Sequence, residues 1–149
     1  MENASKALLM AGGVLIGVLI MSLAVYLFAD FGSKSASINE QNSQKQLAAF
    51  NSKFTSYQNF KDEISGEWKI TIYDIITVKG YADENNEKNE SKDEKITVTI
   101  DNSPITKTDT ELIKDYGYKN GELTKFKCLN NDIQYNNRGK VKLINFRNN

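Results

Sequence analysis

The chain has 149 residues, which carry 19 basic and 19 acidic side chains and no histidine. Balanced charge without a basic cluster is not typical of a nucleic-acid-binding surface, so we expect no nucleic acid among its partners. Without histidine the chain lacks the commonest proton shuttle and metal ligand, and nucleophiles that depend on a histidine base are excluded.

A long apolar segment near the N-terminus is the strongest feature of the sequence. Residues 7–29 carry no charged side chain, and as a helix they would extend about 34 Å at about 1.5 Å per residue. That length is sufficient for the hydrocarbon core of a bilayer, which is about 30 Å thick. The sequence therefore predicts a transmembrane anchor within residues 1–29, with the lipid bilayer as its partner.

Two other interpretations of this apolar segment have less support. A cleaved signal peptide has a shorter apolar core, of about 7–15 residues, followed by small residues at the cleavage site. A buried helix of a soluble protein needs enough chain to cover all its faces, and the residues that follow form only one ordinary domain. We therefore favour a retained anchor.

The charges on either side of the apolar segment favour one orientation. The α-amino group, Glu2 and Lys6 precede it, with a net charge of about +1, whereas Asp30, Lys34 and Glu40 follow it and carry one net negative charge. Positive charge tends to stay on the cytoplasmic side of a membrane. We therefore expect the domain after the anchor to be extracytoplasmic.

Two glycines within the apolar segment are candidates for a helix–helix contact. Gly13 and Gly17 form a GxxxG pattern, which lets two helix backbones approach closely in lipid. The same pattern also arises by chance in apolar runs. The contact would serve self-association or association with other membrane helices.

A polar stretch over residues 30–46 precedes an amphipathic helix. The stretch contains no proline and is either a solvated extension of the anchor or a linker. Leu47, Phe50, Phe54 and Tyr57, continued by Ile64, then recur at helical spacing and define a packing face. This face packs on the core of its own domain or, in the alternative, on another copy as a coiled coil.

The next segment favours a second helix, which Ser65 and Gly66 separate from the first. Thr71 and Asp74 have the spacing of a capping box, and Ile75, Ile76, Val78 and Ala82 follow. A strand is the alternative, because the isoleucines around this point partly alternate with polar residues.

An acidic stretch at residues 83–94 is the only candidate for a metal site. Its oxygen-bearing side chains fall on positions 1, 3, 5, 7, 9 and 12 of an EF-hand-like loop: Asp83, Asn85, Glu87, Asn89, Ser91 and Glu94. Lys88, however, stands where that loop needs glycine and adds a positive charge beside the ion. We therefore predict a solvated surface loop without a metal, and calcium binding is the alternative.

The last third of the chain indicates β structure. The stretch 96–100 alternates as a strand, 109–116 has a helical pattern, and Asn120–Gly121 is typical of a tight hairpin. The stretches 133–135 and 141–146 are separated by a turn at 136–139. We predict an antiparallel sheet of three to four strands packed on the amphipathic helix, with Cys128 a buried thiol.

An apolar N-terminal helix that leaves the membrane and packs on a C-terminal antiparallel sheet resembles the type IV pilin and pseudopilin architecture. The resemblance covers the chain in its order of elements. The glycine that precedes the family's cleavage site has no counterpart before residue 7, and Glu2 lies ahead of the apolar segment rather than within it. The resemblance implies a subunit that stacks through its apolar helix, with Gly13 and Gly17 in the contact.

These features predict an α+β protein with an anchor at 1–29, a juxtamembrane helix or linker at 30–46 and an extracytoplasmic domain at 47–149. Its expected function is that of a pilin-like structural or assembly subunit of the cell membrane. The alternative is a single-pass membrane protein whose outward domain binds a partner or ligand without forming filaments. No motif indicates catalysis or a cofactor, so we expect no enzyme activity.

Overall fold

The computed structural model describes residues 1–149 and has three α-helices and seven short strands. The helices are α1 (Glu2–Thr55), α2 (Ile72–Lys88) and α3 (Asp109–Tyr116). The strands are β1 (Thr97–Ile100), β2 (Ser103–Pro104), β3 (Tyr118–Lys119), β4 (Glu122–Leu123), β5 (Phe126–Lys127), β6 (Ile133–Tyr135) and β7 (Val141–Asn148). The chain divides into two compact units, Met1–Lys45 and Gln46–Asn149.

Apart from Met1, the N-terminal unit consists of α1 residues. Residues 30–46 are helical, which resolves the choice between a helix and a linker for that stretch. This helix is long and apolar enough to cross a membrane, and no residue of its most apolar window is buried. The α+β class with a long apolar N-terminal helix is as expected from the sequence.

The C-terminal unit contains a mixed sheet of five strands, so the prediction of an antiparallel sheet of three to four strands is wrong. Strand β7 pairs in parallel with β1, from Thr97 opposite Leu143 to Ile100 opposite Phe146. Strands β5 and β6 pair with β7 antiparallel, and β2 pairs with β1 antiparallel. The parallel pair arises because a long crossover that includes α3 separates β1 from β7, as parallel strands require.

The sequence signals for α2 prove correct in favouring a helix over a strand. The Asp74 carboxylate accepts hydrogen bonds from the backbone N–H and the hydroxyl of Thr71, at 2.8 and 2.9 Å. Ile72, Ile75, Val78 and Ala82 are buried at helical spacing. A strand would have turned some of these side chains to solvent.

The predicted loop at residues 83–94 is wrong in its first half, because α2 continues to Lys88. Lys79 pairs with Asp83 at 3.1 Å and Lys88 pairs with Glu84 at 2.6 Å, both across one helical turn. Asn85 continues the buried stripe of α2. These contacts keep a charged segment helical although it has no apolar residue.

Ile64 does not continue the packing face of α1, as the sequence had suggested. The helix ends at Thr55, and the chain changes direction near Asn59, whose φ is 54°. Ile64 lies in a turn that Gly66 completes at φ 70°, and its side chain is 99 % exposed. Turn geometry, rather than apolar spacing, therefore determines the position of Ile64.

The remaining local predictions for the last third are confirmed. Helix α3 occupies 109–116, and Thr108 and Glu111 form its capping box. Strands β3 and β4 form the hairpin, with Asn120 at φ 55° and Gly121 at φ 86°, as a type I′ turn requires. Residues 136–139 connect β6 to β7.

Candidate functional site

The apolar segment of α1, residues 7–29, exposes large side chains along its whole length. Leu9, Val14, Leu19 and Phe28 are all more than half exposed. Around Gly13 and Gly17 an added Cβ atom would have no neighbour within 4 Å. The two glycines predicted to contact a second helix therefore lie on an open surface of this chain.

This exposed apolar surface is unfavourable in water and favours an apolar environment. Apolar area in water is unfavourable by about 25 cal/mol per Å², and soluble monomers rarely expose apolar patches larger than about 600 Å². The hydroxyl of Ser22 donates to the carbonyl of Val18 at 2.8 Å, so its hydrogen is satisfied within the helix. A lipid environment or another apolar helix suits such a surface.

Charged pairs mark both ends of the apolar segment. Lys6 pairs with Glu2 at 3.1 Å before it, and Lys34 pairs with Asp30 at 2.8 Å after it. Both pairs link side chains one helical turn apart and are solvent-exposed. The two charged pairs therefore lie directly outside the two ends of the uncharged stretch.

The predicted packing face of α1 contacts the core of the C-terminal unit. Phe54 is fully buried, Phe50 and Tyr57 pack against the core, and Leu47 is half-buried. The rings of Phe50 and Phe54 lie 5.5 Å apart, and Tyr57 meets Phe146 edge-on at 6.4 Å. Phe50, Phe54 and Tyr57 thus contact the core within one chain, with Tyr57 just beyond the end of α1.

Asn51 is a residue of this face that the sequence analysis missed. Its side chain donates to the carbonyl of Gly139 at 2.7 Å and accepts from the N–H of Val141 at 3.0 Å. It thereby fixes the β6–β7 turn to α1. Its position one turn after Leu47 was the available signal, because a polar residue within an apolar stripe usually has a buried partner.

Two side-chain oxygens of the acidic stretch contact a lysine side chain. The ammonium group of Lys140 lies 2.9 Å from one carboxylate oxygen of Glu94 and 2.9 Å from the side-chain oxygen of Asn85. Arg138 binds the other Glu94 oxygen at 3.0 Å. Asn85 and Glu94, at positions 3 and 12 of the EF-hand-like pattern, therefore already contact positively charged side chains.

Electrostatics in this cluster favour the ionised carboxylate. The hydrogen bond from Lys140 is the main reason that the pKa of Glu94 lies below its ordinary value of 4.5. The charges of Lys140 and Arg138 act in the same direction, against the partial burial of the group. A metal cation that bound Glu94 would have to displace the side chains of Lys140 and Arg138.

Cys128 is buried, as predicted, and its thiol has low reactivity. Burial, together with the nearby charge of Asp132, raises the pKa of its thiol to about 12. The reactive form of cysteine is the thiolate. Cys128 therefore serves as a small apolar core residue.

Comparison of the chain with known protein families, with curated proteins and with solved structures finds no match.

Proposed function

We propose that the protein is a membrane-anchored, extracytoplasmic structural subunit of pilin-like type. The observation that carries the proposal is the apolar segment 7–29 of α1, in which no residue is buried. The last turns of the same helix supply Phe50 and Phe54 to the α+β unit. A helix that serves as anchor at one end and core element at the other is the architecture that the type IV pilin resemblance implies.

The bilayer is the environment proposed for the subunit before assembly. Segment 7–29 has the length of a hydrocarbon core, and its backbone polar groups are satisfied within the helix. The charge difference between the amino side of the segment, with Glu2 and Lys6, and the Asp30–Glu40 region supports an extracytoplasmic C-terminal unit.

Assembly is the proposed role because the apolar segment carries an open small-residue face. Gly13 and Gly17 lie one turn apart, and a Cβ atom added at either would meet no other part of the chain within 4 Å. In lipid or in a bundle of such helices, small residues permit the close backbone contact that drives association. The glycines of one subunit would then be covered by the helix of the next.

Fractionation of the native cells tests anchor and assembly together. We expect the chain in the membrane fraction and in filaments sheared from the cell surface, seen by negative stain and identified by mass spectrometry of the N-terminus. A chain extracted from membranes only as a monomer, with no filaments, would overturn assembly and favour the anchored domain that binds a partner. A soluble chain lacking residues 1–29 would overturn the anchor itself.

Protease treatment of intact cells tests the orientation. We expect digestion of the C-terminal unit without lysis, because that unit is proposed to face outward. Protection in intact cells followed by digestion after lysis would reverse the assignment. A cytoplasmic protein followed in parallel serves as the control for cell integrity.

A further inference from the structure

Three side chains from separate parts of the sequence meet in the C-terminal unit: Asn85 on α2, Glu94 after it, and Lys140 before β7. The Lys140 Nζ atom lies 2.9 Å from Asn85 Oδ1 and 2.9 Å from Glu94 Oε2. Asn85 is 7 % exposed, and the side chains of Lys140 and Glu94 are 16 % and 19 % exposed. An amine, an amide and a carboxylate are thus held together and largely shielded from water.

The surroundings restrict how these groups can move. The ring of Phe50 covers Lys140 Nζ at 4.6 Å from its centre. The Asn85 amide nitrogen donates to the backbone carbonyl of Glu94 at 2.7 Å, which fixes the plane of the amide. Arg138 holds the second Glu94 oxygen at 3.0 Å. The three reacting groups therefore need little further ordering to meet.

The amide carbonyl of Asn85 is also polarised. Its oxygen accepts a hydrogen bond from the Asn89 side-chain nitrogen at 3.1 Å, and this contact does not involve the attacking amine of Lys140. Donors at this oxygen stabilise the negative charge that develops when a nucleophile attacks the carbonyl carbon. Fixed proximity of an amine to such a carbonyl replaces a bimolecular encounter by an intramolecular one, which is a large advantage in rate.

We propose that Lys140 and Asn85 become joined by an isopeptide bond, with Glu94 as the group that transfers the protons. The bond would link α2 to the start of β7 within one chain. It is a self-modification that takes place once per molecule, after folding has brought the three residues together.

The step balances without any co-reactant. Glu94 takes a proton from the Lys140 ammonium, and the neutral amine attacks the Asn85 carbonyl carbon, forming the new C–N bond. Glu94 passes the proton to Asn85 Nδ2, the bond to Nδ2 breaks, and ammonia leaves. The attacking nitrogen gives its second proton to the Glu94 carboxylate, from which ammonia removes it as ammonium.

The resting state of the cluster predicts that the step is slow. The pKa of Glu94 lies below its ordinary value, chiefly because Lys140 donates a hydrogen bond to it, so the carboxylate rests ionised rather than ready to accept a proton. Only the rarely formed neutral pair attacks. The product is nevertheless an amide of ordinary stability, and release of ammonia into water drives its accumulation.

Mass spectrometry of the full chain in detergent tests the proposal directly. We expect an intact mass lower than that of the sequence by one molecule of ammonia. Trypsin should release a branched peptide in which residues 80–88 are joined to residues 139–142, since cleavage after a modified Lys140 is blocked. A folded chain that keeps its complete mass after prolonged incubation would overturn the proposal.

Matched variants separate this reaction from other losses of ammonia. Lys140→Arg keeps the positive charge without the nucleophile, and Glu94→Gln keeps the shape without the base, so both should show the complete mass. Lys142→Arg, beside the site, should retain the deficit. Asn120 precedes Gly121 in an exposed turn, where ring closure on the backbone also releases ammonia; a deficit confined to that peptide, or one that persists in Lys140→Arg, would overturn the proposal.

Discussion

Arg147 donates two hydrogen bonds to one carboxylate oxygen of Asp132, from Nε at 2.8 Å and from Nη2 at 2.6 Å. The Asp132 side chain is 1 % exposed, whereas that of Arg147 is 48 % exposed. The other Asp132 oxygen accepts from the N–H of Leu129 at 2.9 Å. A fully buried charge therefore depends on a partner that itself reaches water.

This difference in exposure predicts that variants of Asp132 and of Arg147 lose different amounts of the free energy of unfolding. Asp132→Asn keeps an acceptor for Leu129 and leaves Arg147 free to hydrate, so we expect a loss of about 1–3 kcal/mol. Arg147→Met leaves a buried carboxylate without its cation, and we expect it to be the more destabilising change. Urea denaturation of both variants measures the difference, and equal losses would contradict it.

Acid should weaken the fold through carboxyl groups that are held ionised. Burial raises the pKa of Asp132, but hydrogen bonds from Arg147, Leu129 and Asn145 outweigh it and bring the pKa below its ordinary value of 3.8. Such a group stabilises the folded state fully above the unfolded-state pKa, and the contribution is lost as the pH falls through the folded-state value.

We therefore expect the free energy of unfolding to decrease as the pH falls below about 4. Glu94 contributes in the same direction, because Lys140 lowers its pKa. The measurement is urea denaturation at a series of pH values. Asp132→Asn should lose less stability on acidification than the wild type, and a decrease equal to that of the wild type would show that Asp132 is not responsible.

Local patterns predicted the helices because the determining contacts are near in sequence. Thr71 and Asp74 cap α2 across three residues, and Thr108 and Glu111 do the same for α3. The buried position of Phe54 follows from apolar spacing along α1. Each of these features can be recognised within one or two helical turns.

The sheet direction and the polar clusters could not be predicted in this way. Alternation in 96–100 and 141–146 identifies strands, but it carries no information on whether they pair in parallel. Lys140 meets Asn85 and Glu94 only because the fold brings the residue before β7 next to the end of α2 and the loop after it. From the sequence, Asn85 and Glu94 belonged to a charged stretch typical of a solvated loop, since their partner lies more than forty positions away.

Phe54 is expected to be the main anchor of α1 in the core. Its side chain is fully buried, so Phe54→Ala leaves a cavity and should destabilise the C-terminal unit by about 3–5 kcal/mol. Phe60→Ala removes the same ring from a site that is 42 % exposed and should lose about 1 kcal/mol or less. Urea denaturation followed by tryptophan fluorescence compares them, and similar losses would contradict this role for Phe54.

Asn51 is expected to stabilise the β6–β7 turn. Asn51→Ala leaves the N–H of Val141 and the carbonyl of Gly139 without their present partners, which should lower stability by about 1–3 kcal/mol. Amide hydrogen exchange at Val141 should become faster. Asn42→Ala, on the exposed part of α1, is the matched control and should change neither quantity.

The glycine face of the apolar segment gives the sharpest test of assembly. Gly13→Leu or Gly17→Leu places a bulky side chain where two helix backbones would approach closely, so we expect filaments, or helix–helix cross-links in membranes, to be lost. Helix formation itself is not impaired, because leucine has a higher helix propensity than glycine by roughly 0.8 kcal/mol. The apolar segment also stays long enough to span the bilayer.

Val14→Leu enlarges a neighbouring side chain that is already exposed and serves as the control for added bulk. It should leave both membrane content and assembly unchanged, which assigns any loss in the glycine variants to close backbone contact. Membrane content is measured by immunoblot of washed membranes, and assembly by negative stain of sheared material. If the glycine variants assemble as well as Val14→Leu, the two glycines are not the contact face, and another side of residues 7–29 must supply it.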